Sequence, residues 1–129
     1  MLQNDPSIRY IWAAPPEKRY KHFIHTVADQ ESLWLAGNEN GELVAEKNGK
    51  TFLCLWPSEA FAQFYLEKTV PSLCAEIFSI EISAFMDHAQ ALTITRRDIQ
   101  CMVFPTEQNA TYISMQELLA DLNTELECY

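Results

Sequence analysis

Glycine is scarce: three residues in a chain of 129, none in a glycine-rich run followed by lysine. The loops that cradle phosphates with backbone N–H groups are thereby excluded. No Gly/Ser tract exists to serve as a flexible linker, and no G-x-S-x-G pattern exists to expose a serine on a strained elbow. Cations are also few, nine Lys and Arg against eighteen Asp and Glu, for a net charge of −9. A surface of that sign repels nucleic acid and anionic lipid unless its cations cluster. Here they are scattered, the densest group being Glu17-Lys18-Arg19-Tyr20-Lys21 and the next Arg96-Arg97. Neither nucleic acid nor a membrane is expected as a partner. No apolar run approaches the roughly 20 residues of a membrane span.

Cysteine pairs are missing too. Cys54, Cys74, Cys101 and Cys128 lie far apart, with no C-x-x-C or C-x-x-H. Structural zinc takes ligands in close pairs from tight turns, so no metal and no other cofactor is expected. The start, "MLQNDPSIRYIW", lacks a basic stretch followed by an apolar one, so no secretory signal is expected. The cytoplasm is the expected location and buried free thiols the expected state.

What is present is a single domain's worth of chain, 48% hydrophobic and 12% aromatic, long enough to need no cross-link. Residues 1–14 read as an N-terminal arm or a short strand. "PPEKRYKHFIHTVADQE" reads as a helix: Pro16 suits its first turn, Glu17 its dipole, and Tyr20, Phe23, Ile24 and Val27 form one apolar stripe. "SLWLAG", "ELVAE" and "KTFLCLW" then read as a three-stranded antiparallel meander turned at Asn40-Gly41 and Asn48-Gly49. The third strand is apolar on both faces and therefore central. Pro57 stops it near Trp56 and Ser58 caps the helix that follows. A strand near Glu76–Glu81 runs into a helix capped by Ser83 and carrying Phe85, Met86, Ala89 and Leu92. "DIQCMVFP" is another strand. "TYIS" leads to a last helix with the capping box Ser114/Glu117. The order α-β-β-β-α-β-α-β-β-α predicts an α+β fold, one mainly antiparallel sheet with helices packed mainly on one side.

From about Tyr20 onward these segments, in this order, resemble the bacterial DUF2750 family, a domain of unknown function. They are the amphipathic helix, "SLWLAGNENGELV", "FLCLWPSEAFAQF", "FSIEISAFMDH" and "VFPTEQNATYISMQELLADL". The resemblance implies a small, single-domain, cytoplasmic bacterial protein. It carries over no catalytic residue, cofactor or substrate.

The candidate site residues are few. His22 and His25, three apart, are expected on the solvent face of the first helix, where a shared metal would need a third ligand that nothing signposts. His88, beside Asp87, is expected at the surface. Cys54 and Cys101 lie in apolar strands, which raises a thiol pKa, and only Cys74 is placed to be accessible. Ser58, Ser83 and Ser114 have work enough as caps. Asp121 and Glu125, one turn apart, make a negative stripe that a basic partner could use. Trp12, Trp34 and Trp56 are large enough to anchor an interface; Trp56 is expected to pack beneath one of the first two helices or else to line a groove. The arm, "IRYIWAAPP", is too apolar to be free and should fold back or dock on a second copy, which would make a homodimer.

Two functional readings follow. The first is a non-enzymatic, acidic, cytosolic protein-binding module for a basic protein partner, of which an inhibitor or immunity protein is one form. The alternative is a small-molecule-binding or catalytic domain with a pocket between sheet and helices. Catalytic residues are not identifiable under either reading.

Overall fold

The computed structural model describes residues 6–38, 41–42, 44–47, 49–69, 76–95, 99–106 and 109–128. The elements are α1 (Pro6–Trp12), α2 (Pro16–Gln30), β1 (Ser32–Asn38), β2 (Gly41–Glu42), β3 (Val44–Lys47), β4 (Lys50–Leu55), α3 (Glu59–Thr69), β5 (Glu76–Glu81), α4 (Ile82–Thr95), β6 (Gln100–Val103), β7 (Thr111–Ser114) and α5 (Met115–Leu126). The fold is α+β. All paired strands are antiparallel except β4 and β6.

In place of the single sheet expected, the described residues form two, ordered β2-β1-β5 and β3-β4-β6-β7. The predicted second strand divides: β2 pairs with β1 at Gly37 and Asn38, whereas β3 pairs with β4 along its length. Among the described residues an antiparallel bridge links Trp34 of β1 to Trp56, just past the end of β4, each backbone N–H donating to the other residue's carbonyl at 3.0 Å. The remaining edges went to partners distant in sequence. Six residues of β1 pair with β5, and β4 takes β6 in parallel. Local hairpin signals cannot reveal such pairings.

The turn reading succeeded at one hairpin and slipped at the other. Lys47 opposes Lys50, and Gly49 between them has φ 78°, a conformation glycine adopts without steric cost; Asn48 lies outside the described residues. In the other hairpin Asn38 opposes Gly41, so Gly41 belongs to the ladder rather than the turn. Asn40 lies outside the described residues.

Residues Pro6 to Trp12 form a helix, not a strand or an extended arm. Seven residues are too few to hold a helix alone; docking does it. Trp12, 9% exposed, lies against Phe61, Phe64 and Phe104, with ring centroids 6.4, 4.5 and 6.4 Å away. The Lys18 Nζ donates to the Tyr10 hydroxyl at 2.9 Å and sits over its ring. Trp12 is thus covered within the chain.

Helix α2 buries Phe23, Ile24, Val27 and Ala28, together with Arg19. Only 2% of Arg19 is exposed. Its guanidinium donates to the carbonyls of Ala14, Phe104 and Asn109 and to the Asn109 side-chain oxygen, at 2.6 to 3.2 Å. That fork ties the start of α2 to the β6–β7 connection, where Phe104 holds a left-handed φ of 51°. In α5, Ser114 is the cap that its spacing predicted: its Oγ accepts from the Glu117 N–H at 3.1 Å. Ser83 is not a cap, because α4 begins one residue earlier, directly on the end of β5. The Ile82 N–H there donates to the Glu31 carbonyl instead.

Candidate functional site

The residues singled out from the sequence meet in pairs, Trp34 with Trp56 and His25 with Glu125, rather than in one cluster. Trp56 is fully buried against Tyr65 of α3, its ring centroid 5.4 Å away. Its indole N–H has no hydrogen-bond partner among the described residues. The corner Trp56-Pro57-Ser58 ends β4 and leads directly into α3. Trp34 is half-buried and shares its bridge, and Trp12 fills the aromatic cluster beneath α1.

The two histidines of α2 part company. His25 is exposed, its Nδ1 lying 3.7 Å from Glu125 Oε1. His22, expected beside it in solvent, is half-buried with its ring 6.2 Å from both Phe61 and Phe104. Burial, and secondarily the neighbouring His25, push its pKa down. Asp121 accepts a short hydrogen bond from the Tyr20 hydroxyl. Burial first, then that bond to Asp121, raises the Tyr20 pKa. The Asp121/Glu125 stripe is therefore engaged with α2 rather than free. His88, expected at the surface, is half-buried with its Nε2 shielded from solvent.

The strand thiols are poor nucleophiles. Desolvation pushes both Cys54 and Cys101 up to about 12, and Cys128 is an exposed free thiol. Cys74 lies outside the described residues. Among the described residues no three of His, Cys, Asp and Glu come together as a metal-holding group, and no helix is long and apolar enough to cross a membrane.

A concave feature among the described residues lies elsewhere. A cleft of about 630 Å³ opens where α2 ends, β1 begins and β5 turns into α4; Leu126 of α5 closes one side. Its polar groups come from Gln30, Glu31, Ser32, Ser79, Glu81 and Ser83. The β1–β5 register builds it: Ser32 opposes Glu81, and Trp34 opposes Ser79. Alternation along the strands then sends Ser32, Ser79 and Glu81 to one face. Glu31 is delivered by the end of α2, where it adopts a left-handed φ of 59°. Its carbonyl accepts from Ile82, so the turn is pinned across the cleft. Gln30 is pinned as well, its amide donating to the Ser32 and Pro57 carbonyls at 2.9 and 2.7 Å.

Electrostatically the cleft favours a cation. It holds two carboxylates and no Lys, Arg or His. The C-terminal ends of α2 and α5 add the negative poles of two helices, against the one positive pole of α4. Its serines have no histidine or lysine beside them in the lining, so the pairing that activates a hydroxyl nucleophile is missing from it. The arrangement can hold an ammonium or guanidinium group and offer it hydroxyl acceptors.

Sequence reasoning missed Glu31 and Glu81. Nothing local marks them, because they are fifty residues apart and meet only through the β1–β5 pairing.

Among known families, the model described as "Protein of unknown function (DUF2750)" matches residues 20–122. No curated protein matches the chain. Helix α1 and the first turn of α2 precede the matched region, whereas Glu31, Glu81 and the whole of both sheets lie inside it.

Proposed function

Since the chain belongs to the DUF2750 family, whose description assigns no activity, we propose that it is a non-enzymatic, acidic binding module whose cleft receives a basic side chain of another protein. The observation that carries this reading is the pair Glu31 and Glu81 in one cleft without a cation among its lining residues. The net charge of −9 supports it by steering a basic partner toward the molecule. An inhibitor of a basic enzyme is one form such a module takes. Buried free thiols at Cys54 and Cys101 suit a reducing compartment, and a cytoplasmic setting is part of the proposal.

The cleft volume favours a second reading. It falls in the range of roughly 300–1,000 Å³ typical of small-molecule sites, so a small polyamine is the alternative occupant. Titration of the full chain with a lysine-rich nonapeptide and with spermidine separates the two. The leading reading expects the peptide to bind more tightly, with affinity falling as salt is raised. Glu31→Gln/Glu81→Gln should weaken it about tenfold, or about 1.4 kcal/mol. Tighter spermidine binding would favour the alternative. Peptide affinity unchanged in the double variant would overturn the leading reading.

A further inference from the structure

The cleft is continuous with an unfinished sheet. β5 is the last strand of its sheet, and among the described residues its outer edge has no strand partner. An edge of this kind presents a row of backbone donors and acceptors to any extended chain. Six residues of it span about 20 Å. Glu76, Phe78, Ser79 and Glu81 are all exposed. Phe78, 40% exposed, is among the most exposed large apolar side chains. It opposes the buried Leu35, and Ile80 opposes the buried Leu33, so both sit on the core face at its rim. On the other face Ser79 and Glu81 belong to the cleft.

The charges at the two ends select what can pair there. Opposite charges directly opposed stabilise a ladder, so an added strand with cations five positions apart would meet Glu76 at one end and Glu81 at the other. Positions five apart fall on opposite faces, so one cation would reach the cleft side, where Glu31 adds its charge, and the other the rim beside Glu76.

We propose that the outer edge of β5 accepts an extended segment of a basic partner as an added strand, with Lys or Arg opposite Glu76 and Glu81 and apolar residues opposite Phe78 and Ile80. This rests on the reading that the protein recognises a basic partner, and adds the way it does so. Backbone pairing supplies the affinity and the two glutamates the register, the division of labour usual in strand addition.

The test uses the full chain and a capped hexapeptide, Lys-Val-Thr-Val-Thr-Lys, whose valines fall opposite Ile80 and Phe78. Two further versions carry N-methyl groups on alternate amides, one set at odd and one at even positions. Charge and side chains are the same in all three, but only one set of amides faces β5. The proposal expects one methylated peptide to bind at least tenfold more weakly and the other to keep its affinity. Equal binding of all three overturns strand addition while leaving cation recognition standing, because charge alone would then account for it. Loss with both methylated peptides, or no binding of the parent, also overturns it. The nonapeptide titration above reports separately on the broader reading.

Discussion

β4 and β5 are both six residues long and both rich in strand formers, yet they live in different solvents. In β4 every residue after Lys50 is buried. In β5 none is, and only Ile77 and Ile80 are half-covered. The difference comes from neighbours. β4 lies between β3 and β6, which leaves it no free edge, whereas among the described residues β5 has β1 on one side alone. β1 of the same sheet buries Leu33, Leu35 and Ala36, so the exposure belongs to the edge strand rather than to its whole sheet. The three-stranded sheet keeps an exposed edge and the acidic cleft, where recognition chemistry can be placed at small cost to the fold.

Substitutions graded along this contrast would break or sharpen it. The largest effect belongs to the core: Leu53→Ala in β4 removes a side chain that is buried on its face and should cost about 3 kcal/mol, read from the urea midpoint. Next comes the fork beneath the β6–β7 connection. Arg19→Leu leaves the carbonyls of Ala14, Phe104 and Asn109 without their donor and should cost about 2 kcal/mol. Arg19→Lys should recover little of it, since an ammonium cannot reproduce the fork.

Alkali acts on the same buried sheet. The Cys54 and Cys101 thiols sit at about 12 in the folded chain against 9.0 for the free group. The folded state therefore holds these protons longer than the unfolded one. Their contribution is complete below pH 9 and is lost as pH rises from 9 toward 12, at about 1 kcal/mol per thiol by pH 10. Tyr20 and Tyr65, also raised by burial, add to the decline with the same sign. Replacing both cysteines by valine should flatten the fall in urea midpoint above pH 9 without abolishing it. Up to that pH neither strand thiol should react with a thiol reagent in the folded protein, while the exposed Cys128 should.

The smallest effect belongs to the edge. Phe78→Ala should cost under about 1 kcal/mol, as substitutions at exposed sites generally do. A cost equal to that of Leu53→Ala would erase the distinction between the two strands.

How far the sequence could be read follows the same division. The doubly apolar run from Phe52 to Trp56, the stop at Pro57, the Ser114 cap and the α2 stripe are local patterns with local causes, and all are visible in the residues. The pairings β1–β5 and β4–β6 are not local, and without them one sheet cannot be told from two. Helix α1 was hidden for a related reason: "IRYIWAA" has the composition of a strand, and only Trp12 docking among Phe61, Phe64 and Phe104 makes it helical. The cleft was the least legible feature. His22, His25, Trp34 and Trp56 stand out as residue types, whereas Glu31 and Glu81 are two among eighteen acidic residues. Register, not residue type, singles them out.

The most direct test of the contrast is amide hydrogen exchange over the whole chain, alone and with the Lys-flanked hexapeptide. The account predicts slow exchange in β4 and β6 and fast exchange in β5 of the free protein. With peptide bound, protection should rise in β5 and around Glu31 and leave β4 unchanged. A β5 as protected as β4 in the free protein, or a bound peptide that leaves β5 exchange untouched, would contradict it.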